Sequence, residues 1–100
     1  MDVIQSIDLI TKNTAVRGGK PCVAGTGLRV TDLVIAHLFH KRSAEELTAD
    51  YELSLPQVYA ALAYYYQHKD ELDIDIRHQI LNARRATEKA TSGQPSLLSG

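Results

Sequence analysis

His37, His40, His68 and Cys22 are the side chains that could ligate a metal or attack a substrate. His37 and His40 stand three apart, which brings two imidazoles to one side of a helix; with His68 and Cys22 they would make a nitrogen and sulfur donor set for an ion such as zinc. No carboxylate is fixed beside them by spacing, so they read as exposed helix histidines and no metal is assigned. Cys22 would need a base brought to it by folding before it could act as a nucleophile, and nothing in the sequence specifies one. A buried strand thiol is the simpler reading. The acids from Asp70 to Asp75 read as a solvated charge run rather than a catalytic carboxylate pair. No catalytic residue and no cofactor are assigned, and the chain is expected not to be an enzyme.

The glycine-rich stretch GGKPCVAGTGLRV, residues 18–30, invites a phosphate-binding reading. A P-loop needs G-x-x-x-x-G-K-[ST], so that amides wrap the phosphates while lysine and a hydroxyl complete the site. Here Gly19-Lys20 is followed by Pro21 and position 14 is Thr, so both ends fail. The dinucleotide pattern G-x-G-x-x-G fails too, because Gly25-Thr26-Gly27 runs on to Val30. What fits is a β-ribbon. Gly18-Gly19 and Gly25-x-Gly27 would supply positive φ at turns flanking a strand at Pro21-Cys22-Val23, which pairs with the first strand or with another copy of the chain.

These candidates sit on a chain of 100 residues, enough for one modest core and too short for a cleft between domains. No apolar run reaches the roughly 18–20 residues that span a bilayer, and the acidic start does not resemble a signal peptide. A soluble, cytoplasmic protein without membrane contact is expected. One cysteine excludes an internal disulfide framework. The formal net charge of −1 hides segregation: residues 1–30 carry +2, residues 31–75 carry −6 and residues 76–100 carry +3. Any nucleic-acid footprint would therefore come mainly from the ends.

Up to residue 30 the pattern is β-like, with alternation over Ser6–Thr11 and a short extended stretch at Leu28-Arg29-Val30. Thereafter the period is helical. Thr31 is placed to cap a helix whose Val34, Ile35, Leu38 and Phe39 share one face, with His37 and His40 on the other. Ser43-Ala44-Glu45-Glu46 is a capping box for a short helix ending near Asp50. Ser54-Leu55-Pro56-Gln57 repeats that logic with proline in the first turn. On the helix that follows, Leu55, Val58, Tyr59, Leu62, Tyr65 and Tyr66 fall within one arc, and Gln57, Ala60, Tyr64, Gln67 and His68 lie opposite. Asp70–Asp75 interrupts the pattern; a last helix then carries a narrow stripe of Ile76, Ile80, Ala83 and Ala90, with Arg77, Arg84 and Arg85 around Leu81. The Ser/Gly/Pro-rich end from Ser92 to Gly100 is expected to be mobile.

A helix, a short helix and a capped longer helix, joined through Tyr51-Glu52-Leu53, match a helix-turn-helix. The DNA-binding candidates are then Gln57, Tyr64, Gln67 and His68 as readers, with Lys20, Arg29, Lys41 and Arg42 on phosphates. The acidic charge of this segment objects, and a three-helix protein-binding module predicts the same pattern.

Gly19-Lys20-Pro21, Gly25-Thr26, Val30, Ser43-Ala44-Glu45-Glu46, Tyr51 and the run from Leu53-Ser54 through Gln57-Val58-Tyr59-Ala60-Ala61-Leu62 with Tyr64 together resemble the domain-of-unknown-function 433 family over residues 4–70. The resemblance implies a small, prokaryotic, homeodomain-like helix-turn-helix protein. Many members look like VapB-type antitoxins encoded beside a PIN-like ribonuclease toxin. The family usually places Arg directly after Gly-Thr, where this chain has Gly27. If residues 27–30 are extended, positions 27 and 29 project to one face and Arg29 offers its guanidinium one pleat further on.

The expected architecture is mainly α. A small N-terminal β-ribbon precedes a homeodomain-like or winged-helix-like three-helix bundle within residues 1–75, a C-terminal helix spans 76–91, and a tail spans 92–100. The expected function is that of an antitoxin of a type II pair: a homodimer that neutralises a PIN-like ribonuclease and binds its own operator DNA. The partner would be held through Ile76, Arg77, Ile80, Leu81, Arg84 and Arg85, whose cations would meet the acids of a nuclease site. The alternative is an assembly module that never touches DNA.

Overall fold

The computed structural model describes the backbone of residues 1–92 and the side chains of residues 1–89. It is mainly helical, with a two-stranded antiparallel sheet of β1 (Ile10–Thr11) and β2 (Cys22–Val23), followed by α1 (Val30–Leu38), α2 (Ala44–Tyr51), α3 (Leu55–Gln67) and α4 (Lys69–Ser92). Two compact units divide the chain, Met1–Lys69 and the stretch from Asp70 onward.

The glycine-rich stretch folds as the ribbon its spacing implies. Ile10 lies opposite Val23 and Thr11 opposite Cys22, the Ala24 amide donates to Leu9 at 2.8 Å, and the Val23 amide donates to Leu28 at 2.9 Å. Gly18, Gly19 and Gly25 take positive φ, whereas Gly27 does not. The first strand is shorter than the alternation over Ser6–Thr11 suggests, because β2 is itself only two residues long and offers no further partners. Arg29 meets Cys22 in a single bridge, and the chain then enters α1.

Helix α1 begins two residues earlier than a Thr31 cap allows. Arg29 occupies the cap position and the Asp32 carboxylate accepts from its amide at 3.0 Å, while Thr31 is buried inside the first turn. The two capping boxes form as read: the Glu46 amide donates to Ser43 Oγ at 3.1 Å and the Gln57 amide to Ser54 Oγ at 3.4 Å, with Glu46 and Gln57 reaching back to the Ser43 and Ser54 amides. Between α2 and α3 the chain reverses through Glu52, held in the left-handed region at φ 55°, and the Leu53 amide donates to Thr48.

Helix α3 packs on α1, on α2 and on both strands, so it is the centre of the first unit. Leu33, Val34, Leu47, Val58 and Ala61 are fully buried around it. Each large aliphatic among them contributes about 1.5–3 kcal/mol. The inward faces are rotated from those implied by the largest side chains. On α1 the stripe runs through Val30, Leu33 and Val34, leaving Phe39 57% exposed. On α3 it runs through Val58, Ala61, Leu62 and Tyr65, leaving Leu55, Tyr59 and Tyr66 exposed. Close packing rather than side-chain size sets the inward face: small Ala61 is fully buried while the larger Tyr59 and Tyr66 stay exposed.

His68 breaks the helical path at φ −121°, and α4 starts at Lys69. Asp70–Asp75 therefore lies within a helix instead of interrupting two, and the C-terminal helix begins seven residues before position 76. Acids in the first turn complement the positive end of the helix dipole, which is why a charge run that reads as a breaker can open a helix. Within α4, Leu72 and Ile76 are buried. Ala90 in the expected stripe, and the expected mobile tail beyond Ser92, lie outside the residues described in side-chain and backbone detail respectively.

The turn before α2 is clasped by one guanidinium. Arg42 donates to both Asp50 oxygens at 2.8 Å and to Glu46 at 2.6 Å. The hydrogen bond from Arg42 holds the Asp50 carboxyl below its ordinary range, and hydrogen bonds from the Ser43 amide and hydroxyl, aided by Arg42, do the same for Glu46. Both pKa values are lower folded than unfolded, so their stabilisation is full above the unfolded values and is lost as pH falls through the folded ones. Urea midpoints are expected to stay level from about pH 7 to 5 and to fall once pH drops below the ordinary carboxylate range near 4. Arg42→Ala should flatten that fall; an unchanged pH profile in the variant would show that the clasp has no part in stability.

Candidate partner-binding surfaces

The helix-turn-helix surface is built by α2 and α3, and the structure uses up most of its expected DNA-contacting groups internally. Gln57 accepts from the Ser54 amide at 2.8 Å. Tyr64 and His68 stack on each other with ring centroids 4.1 Å apart, and His68 Nδ1 lies 3.1 Å from the Tyr64 carbonyl. Both rings are half-buried, so Tyr64 does not stand out from the helix as its angular position suggests. Of the four readers only Gln67 is exposed without such an engagement. Among the expected phosphate contacts, Arg42 is held by Glu46 and Asp50, while Lys20 and Lys41 are exposed.

Arg29 does not stand over the position left by Gly27. Its Nη2 donates to Asp32 at 3.0 Å and its Nε to the same carboxylate at 3.2 Å. A different arginine comes to Gly27: Arg17 Nε donates to the Gly27 carbonyl at 3.0 Å, with its Nη2 3.8 Å from Asp32. A Cβ at Gly27 would meet nothing within 4 Å and its φ is not positive, so the ribbon has room for a side chain there and does not require glycine. Arg17 is not legible as a candidate from spacing, since it lies ten residues before Gly27 and takes a positive φ of 51° that its residue type does not signal.

What α3 does present outward is apolar and aromatic. Leu55, Tyr59 and Tyr66 recur at one-turn and two-turn intervals and are 41%, 53% and 59% exposed. Residues 43–68 contain four acids, Glu45, Glu46, Asp50 and Glu52, and no lysine or arginine. A surface that enters a major groove needs cations around its readers, whereas exposed tyrosines without cations suit contact with protein.

The histidine and cysteine candidates do not assemble either. His37 Nδ1 lies 2.8 Å from the Arg42 carbonyl. Cys22 is buried, and burial pushes its thiol pKa up despite Arg17 and Arg29 nearby. Among the described residues no group of three or more His, Cys, Asp or Glu is placed to hold a metal ion. An open depression of about 440 Å³ beside Cys22, lined by Thr11, Asn13, Val16 and Gly25–Gly27, has no charged side chain with which to capture an anion.

Helix α4 supplies the second surface. Of the six expected partner-binding residues, Ile76 is buried and unavailable, and Ile80 is half-buried. Leu81 is 40% exposed, and Arg77, Arg84 and Arg85 are exposed. From Leu81 to Lys89 every residue is exposed. Arg84, Arg85 and Lys89 there face only one acid, Glu88.

Residues 10–65 match the family model described as "Protein of unknown function (DUF433)". The chain belongs to the DUF433 family. A solved structure, a DUF433 member protein from Anabaena variabilis, is similar to this chain at 30% identity with a TM-score of 0.64, covering 70% of this chain and 69% of that one. No curated protein matches. The DUF433 match ends at residue 65, so the basic half of α4 lies beyond it. No helix among the described residues is long and apolar enough to cross a membrane.

Proposed function

We propose that this DUF433 protein is an antitoxin-like homodimer in the cytoplasm whose C-terminal helix holds and inhibits a PIN-like ribonuclease toxin. The observation that carries this reading is the exposure of every residue from Leu81 to Lys89, within a helix that continues to Ser92. A helical segment of that length is marginal in water without tertiary cover. A partner that buries Leu81 and meets Arg84, Arg85 and Lys89 with acids supplies what it lacks, in the manner of a helix laid into a groove. The carboxylates that gather metal in a nuclease of this kind have the complementary charge. Inhibition is then occlusion, and it needs no catalytic group on this chain.

Co-expression with the product of the neighbouring gene tests the reading: a stable complex is expected, and a chain that purifies alone in its presence would overturn it. Operator DNA remains a second reading, favoured by the helix-turn-helix order and opposed by the absence of lysine and arginine from residues 43–68. We expect no mobility shift by the chain alone on the upstream DNA at low salt. A shift whose affinity falls steeply with salt would make the protein an operator binder as well.

A further inference from the structure

Residues 1–8 are all exposed, contain no helix, turn or bend, and have no positive φ. Val3, Ile4 and Ile7 are 77%, 92% and 76% exposed. This segment runs directly into β1, whose far edge pairs with no strand among the described residues. Because Leu9 accepts from Ala24 and Thr11 lies opposite Cys22, Leu9 and Thr11 turn their amides and carbonyls toward β2, and a strand continued back through residues 2–8 would keep that alternation for the odd-numbered residues. The even-numbered residues would then turn theirs to the other edge, which has no proline or lysine before Lys12 to block pairing.

We propose that residues 2–12 of two copies pair as an antiparallel β-ribbon on a two-fold axis at Ile7. The proposal deepens the homodimer of the preceding section and rests on it. The occupant is a second copy because the segment is complementary to itself in one register. With Ile7 opposite Ile7, the outward hydrogen-bonding pairs are Asp2 with Lys12, Ile4 with Ile10 and Ser6 with Asp8, each occurring twice. Opposite charges thus close both ends, and aliphatic side chains face each other between them. An axis at Ser6 sets Asp2 against Ile10 and Asp8 against Ile4. An axis at Asp8 sets the two Asp8 carboxylates together and Lys12 against Ile4. An axis at Ile10 pairs Asp8 with Lys12 but uses few residues, since the chain turns after Lys12, where the Val16 amide donates to Asn13. Strand addition of this kind closes with two-fold symmetry and covers the outer edge of β1 on both copies.

Light scattering on the full chain is expected to show a dimer. With Ile7→Cys, mild oxidation is expected to give a disulfide-linked dimer, because directly opposed residues at a non-hydrogen-bonded site lie about 4.5 Å apart at Cα, within disulfide reach. Gln5→Cys should not cross-link, its symmetry mate being four residues away along the ribbon, and the buried Cys22 of the unaltered chain serves as the background control. Lys12→Asp should weaken the dimer about tenfold, and Asp2→Lys with Lys12→Asp should restore it. A dimer that cross-links through position 5 as readily as through position 7, or that ignores both charge changes, would overturn the ribbon while leaving the homodimer standing. A monomer at all accessible concentrations would overturn both, without bearing on partner binding by α4.

Discussion

Leu33→Ala is expected to cost about 2–5 kcal/mol of stability, read as a lowered urea midpoint and a melting temperature lower by ten degrees or more. Leu33 is fully buried on α1, in the layer that packs on α3. Truncation there removes the transfer energy of three carbons and leaves a cavity whose walls belong to helices already held by two capping boxes and the Arg42 clasp, so they cannot readily collapse into it. The whole first unit of 69 residues has only about 3–10 kcal/mol to lose. Phe39→Ala, although it removes more carbon, is expected to change stability by less than about 1 kcal/mol because its ring is 57% exposed. The opposite ranking would mean that the inward face of α1 has been misplaced.

Arg84→Glu with Arg85→Glu is expected to lower affinity for the ribonuclease partner by about 100-fold or more while leaving the helical content and melting temperature of the free chain unchanged. The two arginines are exposed. Reversing them puts like charges against an acidic site, and the loss should appear mainly in the dissociation rate. Tyr59→Ala on α3 is the contrasting variant. If it abolishes the complex and the double charge reversal does not, the aromatic face of the helix-turn-helix is the docking surface.

The parts of this fold that were legible in the sequence are those governed by local chemistry. Ser43 with Glu46 and Ser54 with Gln57 satisfy orphan amides within four residues, so their helices start where the residue types say. The turns at Gly18, Gly19 and Gly25 follow in the same way. Helix faces are less legible, since Leu33, Ala61 and Tyr59 are sorted by packing against other elements, a tertiary matter that a count of large side chains misses. The acids after Lys69 read as an interruption because their dipole benefit appears only once a helix begins there. At the candidate surfaces, type and angle single out Arg29, Gln57, Tyr64 and His68, and each has an internal partner. Their engagement redirects attention from α3 to α4.

Hydrogen exchange on the complex tests most directly whether α4 is the docking element. In the free chain the amides of residues 81–89 are expected to exchange almost unprotected, while those of α3 exchange slowly. On addition of the ribonuclease, protection should rise over residues 77–89 and stay unchanged along α3. Protection gained over Leu55–Gln67 with residues 77–89 still exchanging freely would contradict the account.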